Sequence, residues 1–144
     1  MSLNKGYFII GTDTGIGKTY VSTLLYQGVK KVNGGYYKPI QSGAFEMLGK
    51  LVSPDVEFLC EYNKIPYDTD MTTYLLRAEV SPHLAAELDN GEGKPGKIRR
   101  RWEKLNKKYD TLIVEGAGGL FVPIVRGKYY MYDLVKMLDI PVII

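Results

Sequence analysis

The chain has 144 residues, which argues for one domain, and its 45% hydrophobic and 24% charged residues are ordinary globular values. A net charge of +3 is too small to imply a nucleic-acid or membrane partner. One cysteine, Cys60, and one histidine, His83, exclude an internal disulfide and a Cys/His zinc cluster, and no apolar run approaches membrane-spanning length. A reducing cytoplasm is the expected location.

Tyr7-Phe8-Ile9-Ile10 is a short apolar run that predicts a buried parallel strand ending at Gly11. A Gly/Thr-rich loop follows to Gly17. Val21, Leu24, Leu25, Val29 and Val32 then recur at helical spacing from about Lys18, until Asn33-Gly34-Gly35 stops the helix. Tyr36-Tyr37 predicts a second strand, closed by Lys38-Pro39. Gln41 to Leu51 lacks periodicity and reads as loop. Ser53-Pro54 has the cap-then-proline form of a helix start, with Val56, Leu59 and Cys60 facing inward.

Residues 63–80 are mixed in character. Ser81-Pro82 opens a short helix through Leu88, and Asp89 to Gly96 is polar loop. Ile98, Trp102 and Leu105 fall on one face of a basic helix. Its Lys97, Arg99, Arg100, Arg101, Lys104, Lys107 and Lys108 read as a solvated face rather than a nucleic-acid surface. Leu112-Ile113-Val114 is a further buried strand ending at Glu115-Gly116, and a helix near Asp133 to Leu138 leads into a last buried strand at Pro141 to Ile144. The alternation predicts an α/β fold, a parallel sheet with helices on both faces. The final strand ends the sequence without a cover, which reads as a chain truncated at its C-terminus. Residues 1–144 are accordingly expected to form a single, incomplete nucleotide-binding domain.

Gly11-Thr12-Asp13-Thr14-Gly15-Ile16-Gly17-Lys18-Thr19 carries the strongest chemical signal. A strand feeds it and a helix leaves it, as a P-loop requires. Glycines let backbone N–H groups turn towards an anion, and the helix N-terminus adds positive potential. Lys18 supplies a mobile charge for the β- and γ-phosphates, and Thr19 a hydroxyl for Mg²⁺. The spacing departs from the common form, because Thr12 stands where the first glycine is usual. Lys38, in Lys38-Pro39-Ile40-Gln41-Ser42-Gly43, stands where ligands of open α/β sheets bind, although position alone favours a solvated lysine. Glu115 follows a strand as a Walker-B-type acid does, and the glycines after it allow close backbone approach. Asp55 lies in a helix first turn, where acids are favoured for dipole reasons alone. Thr19, Asp55 and Glu115 would suffice for Mg²⁺. His83 has no evident partner for base catalysis, and no covalent-catalysis motif is present.

Together with Ser53-Pro54-Asp55, Ser81-Pro82-His83 and Glu115-Gly116-Ala117-Gly118-Gly119, these motifs resemble dethiobiotin synthetase in order and spacing, over nearly the whole chain. The variant P-loop spacing is also that family's. The resemblance implies a P-loop NTPase-like fold and ATP-dependent cyclo-ligase activity in biotin biosynthesis. CO₂ (or bicarbonate) adds to 7,8-diaminononanoate as a carbamate, ATP activates it as a mixed anhydride, and the second amine closes the ring. It implies Lys38 and Lys18 as catalytic residues. Gly15, Ile16, Gly17, Lys18, Thr19, Tyr20, Asp55, Glu115, Gly116, Ala117 and Gly118 would bind ATP, and Thr14 and Ser42 the substrate. Thr19, Asp55 and Glu115 would hold Mg²⁺. It implies a homodimer, with no nucleic-acid or membrane partner. Family chains continue past the position of Ile144, and some carry an acid where Gly15 stands. The rival readings are a partitioning-type ATPase switch, against which Asp13 stands where such proteins carry an extra lysine, and a small-molecule kinase, which keeps the common P-loop spacing.

Overall fold

The computed structural model describes residues 6–144. In chain order the elements are β1 (Gly6–Gly11), α1 (Lys18–Val29), β2 (Gly34–Ser42), β3 (Phe45–Met47), β4 (Lys50–Val52), α2 (Pro54–Asn63), β5 (Thr72–Leu76), α3 (Pro82–Leu88), α4 (Pro95–Lys108), β6 (Thr111–Gly119), β7 (Pro123–Val125), β8 (Tyr129–Tyr130), α5 (Met131–Leu138) and β9 (Val142–Ile143). Five strands form one sheet in the order β5-β2-β6-β1-β9, and every pairing within it is parallel. Two short antiparallel hairpins, β3-β4 and β7-β8, stand apart. The predicted α/β architecture is therefore present.

Helices cover both faces of the sheet. One layer joins Phe8, Ile10, Tyr37, Leu112 and Val114 to Ala85, Ile98, Leu105, Leu134 and Leu138 of α3, α4 and α5. The other joins Ile9, Tyr36 and Ile113 to Tyr26 of α1 and to Val56, Leu59 and Cys60 of α2. Successive strand residues point to opposite faces, which is why Tyr36 and Tyr37 enter different cores.

Several boundaries differ from the sequence reading, each for a local reason. β2 does not close at Lys38-Pro39 but runs to Ser42. Proline has no N–H to donate. It is tolerated in this central strand because β6 pairs with β2 only as far as Tyr37, while β5 takes over from Lys38 to Ser42. The stretch read as loop holds the β3-β4 hairpin, turned by Leu48 (φ 51°) and Gly49 (φ 75°). Two positive φ values suit a tight hairpin, but leucine seldom adopts one, so the turn has no sequence signal. β5, at the edge of the sheet, was hidden in the mixed segment because Thr72-Thr73-Tyr74-Leu75-Leu76 does not alternate. The β7-β8 hairpin was also unread.

Helix α1 forms as predicted, and Asn33 ends its last 3₁₀ turn with φ 56°. The face it buries is only partly the apolar stripe, of which Leu25 and Val29 pack against the core. Ser22, Thr23 and Tyr26 lie inward, whereas Val21 and Leu24 are 41% and 40% exposed. β9 is a second correction. The sequence predicts a buried strand there, but among the described residues it forms the sheet edge, with Val142 exposed and Ile143 only half-buried.

A P-loop cavity closed by a buried lysine–carboxylate triad

β1 leads into the loop from Gly11 to Gly17 and α1 leaves it. Gly15 (φ 69°) and Gly17 (φ 106°) occupy conformations that only glycine adopts without strain. The α1 N-terminus has no side-chain cap and no acid in its first turn, so its N–H groups remain available to an anion. Lys18 folds back, and its ammonium donates to the Asp13 carbonyl. Burial, and then the charge of Lys38, lower its pKa, opposed by Glu115, Asp55 and Asp13.

Behind the loop, strand and helix ends bring distant residues together. The Lys38 ammonium lies 2.7 Å from Asp55 Oδ2 and 2.6 Å from Glu115 Oε2, and also donates to the Gly116 carbonyl at 3.1 Å. The Thr19 hydroxyl donates to the same Glu115 oxygen at 3.0 Å. Lys38 is thus not a solvated strand-end lysine, since its side chain is 5% exposed and that of Glu115 is fully buried. Burial alone would lower the Lys38 pKa, but the charges of Glu115 and Asp55 outweigh it and hold it above its ordinary value. Burial likewise raises Glu115, against the pull of Lys38. For Asp55 the attraction of Lys38 and its hydrogen bonds overcome burial, and the carboxyl stays below its usual range.

Asp55 is placed by the start of α2, where Ser53 Oγ accepts from the Val56 N–H at 3.1 Å and Pro54 fills the first turn, as read from the sequence. Gln41 Oε1 in turn accepts from the Ser53 hydroxyl at 2.7 Å and fixes that cap.

These groups open onto a cavity of about 830 Å³. Thr14, Gly15, Gly17, Lys18, Thr19, Lys38, Ser42, Asp55, Glu115, Ala117 and Gly118 all line it, among the residues singled out in the sequence. Ile16 and Tyr20 do not; both are largely exposed. Gly116 contributes its carbonyl rather than cavity wall, and a side chain there would strike Ile10 and Phe8. Gln41, Ser81 and Pro82, quoted above within motifs but given no role, also line the cavity, and Glu79, Val80 and Val122 line it unforeseen. The Ser81-Pro82 pair marked that wall in the sequence, but nothing marked Val122. His83 stands apart from this cavity, with Nδ1 3.1 Å from the Ser81 hydroxyl.

The donor set fits a hard divalent cation. One ammonium faces two carboxylates, which leaves the cluster with a net negative charge, and Thr19 adds a hydroxyl. No group of three His, Cys, Asp or Glu side chains converges among those residues. Mg²⁺ needs no such cage, because it keeps several waters and takes one or two carboxylates.

A strand, a glycine-turned loop and an uncapped helix around a lysine define a P-loop nucleotide-binding domain. The chain belongs to the AAA domain family, whose model matches residues 5–144. It is 53% identical over 140 residues to the ATP-dependent dethiobiotin synthetase BioD of Fusobacterium nucleatum, covering 97% of this chain and 64% of that protein. The proteins of the same name from Anoxybacillus flavithermus and Clostridium kluyveri are 41% and 40% identical over 144 and 147 residues, and 64% and 61% of their lengths are covered. The chain therefore spans just under two thirds of the length of these relatives. No helix among the described residues is long and apolar enough to cross a membrane.

Proposed function

We propose that this chain is the nucleotide-binding part of an ATP-dependent dethiobiotin synthetase, which carboxylates 7,8-diaminononanoate and closes its ureido ring. The observation that carries the reading is the Lys38–Asp55–Glu115 triad behind the P-loop, in a chain similar to proteins of that name. Residues 1–144 would act as one domain, in a cytoplasmic homodimer acting on small molecules, without nucleic-acid or membrane partners.

In this reading the amides of Gly15, Ile16, Gly17, Lys18, Thr19 and Tyr20 hold the ATP phosphates, and Lys18 leaves the Asp13 carbonyl to meet them. Gly116, Ala117 and Gly118 bound the nucleotide on the other side. Thr19, Asp55 and Glu115 would hold Mg²⁺, which when bound neutralises phosphate charge. Thr14 and Ser42 position the diamine. One amine attacks CO₂ and loses a proton, giving a carbamate. A carbamate oxygen attacks the γ-phosphorus, and ADP leaves. The second amine then attacks the carbamoyl carbon, and phosphate departs as the ring closes. Lys38 stabilises the anionic oxygens that develop between carbamate and γ-phosphate. No protein nucleophile is required, so rate comes from positioning and charge stabilisation.

The test is phosphate release by the full protein, which should require diamine, bicarbonate and ATP together. Release without diamine, or stimulated by a protein or nucleic acid, would favour a partitioning-type ATPase. Lys18→Ala should abolish ATP binding by calorimetry, whereas Lys38→Ala should cut turnover far more than ATP affinity.

A further inference from the structure

One buried titratable side chain faces the triad and has no part in the scheme above. Tyr36 lies on β2 two residues before Lys38, so both point to the α1–α2 side of the sheet. Its register partner on β6 is Ile113, and Glu115 follows two residues later on the same face. The Tyr36 ring is 1% exposed. Its hydroxyl and Glu115 Oε1 are both sealed from solvent, and neither has a hydrogen-bond partner among the described residues. The two groups nevertheless sense each other. Burial, then the charges of Glu115 and Asp55, and then a contact with the Glu115 carboxylate, push the phenol well above its ordinary value. A donor and an acceptor left unpaired in the same buried corner call for an explanation.

We propose that Tyr36 is a positioning residue for Glu115, donating its phenolic hydrogen to Oε1 so that the carboxylate presents Oε2 to the phosphate cavity. The inference rests on the reading of Glu115 as a cation-holding acid. Oε2 already carries the Lys38 and Thr19 contacts, so Oε1 is the oxygen free to accept from behind. Lys38 neutralises the site but cannot fix carboxylate rotation alone, because it also grips Asp55. A neutral phenol adds a directional contact without adding charge. Carboxylates that hold metals are commonly oriented by such outer partners, whose loss weakens metal binding about 10- to 100-fold.

Tyr36→Phe keeps the ring and removes a single oxygen. The experiment compares wild type, Tyr36→Phe and Glu115→Gln by calorimetric titration with ATP alone and with Mn²⁺·ATP. The spectrum of bound Mn²⁺ and the melting temperature of the nucleotide-free protein complete it. Tyr36→Phe should lose about tenfold in affinity for Mn²⁺·ATP. Its affinity for ATP alone should stay within about twofold, its Mn²⁺ spectrum should broaden, and its melting temperature should fall by no more than the loss of a single hydrogen bond allows. Wild-type affinity for Mn²⁺·ATP would overturn the proposal. So would an equal loss with and without metal accompanied by a lower melting temperature, which marks a merely structural role. If Glu115→Gln leaves the metal dependence intact, the site reading itself falls and this proposal with it. Loss in Glu115→Gln but not in Tyr36→Phe removes only the proposal.

Discussion

The two faces of the central sheet differ in kind. The face under α3, α4 and α5 is largely apolar, with Phe8, Ile10, Leu112, Val114 and Leu134 essentially sealed. The face under α1 and α2 carries a smaller apolar cluster, and at its carboxyl end Lys38, Glu115, Ser22, Thr23 and Tyr36 lie buried. Val114 and Glu115 are neighbours in one strand, yet the first packs in a core and the second pairs with an ammonium. The pleat alone separates them. One face supplies cohesion, and the other spends part of its burial on charge that a well-packed apolar core would not need.

Substitutions on each face sharpen the contrast, and the largest effect falls on the charged side. Lys38→Ala leaves two carboxylates buried together and should cost about 4 kcal/mol in denaturant unfolding. Added Mg²⁺ should raise its melting temperature more than that of wild type, because a cation takes over the role of the ammonium. Equal shifts would mean that the carboxylates do not share a cation. On the opposite face Leu134→Ala should cost about 3 kcal/mol through a cavity, with ATP affinity unchanged by calorimetry. A parallel loss of nucleotide binding would break the division of labour between the faces.

The smallest effect lies outside both. Asp70 accepts from Arg101 at 2.8 Å and from Lys104 at 2.6 Å, tying α4 to the turn before β5. The Lys104 hydrogen bond first, against slight burial, holds its carboxyl below the ordinary value. Its contribution is therefore present above the ordinary aspartate range and is lost as pH falls through the lowered value. Asp70→Asn should cost below about 1 kcal/mol at neutral pH, and nothing at a pH low enough to protonate the wild-type carboxyl.

The apolar face was the more legible in sequence. Phe8, Ile10, Leu112 and Val114 belong to runs that are apolar on both sides, and Ile98 and Leu105 recur at helical spacing. The P-loop was legible because its glycines, Lys18 and Thr19 are adjacent in the chain. Asp55 and Glu115 could be marked by their strand-end and helix-start positions, but not the burial of Lys38. That burial depends on β2 continuing through Pro39, which a proline normally argues against. Apolar spacing puts Val21 and Leu24 on one stripe with Leu25 and Val29, yet only the latter two reach the core. Tyr36 looked like any aromatic strand residue, and its meaning lies in an oxygen 79 positions later in the chain.

The uninterrupted run of β2 from Tyr36 through Lys38 makes that stretch intolerant of length change. Insertion or deletion of one residue after Tyr37 would invert the pleat, delivering the ammonium into the greasy layer and a hydrocarbon to the phosphate side. The β3-β4 hairpin a few residues on, ending in an almost fully solvent-facing Leu48, sits outside the main sheet and should absorb the same change in length with little effect.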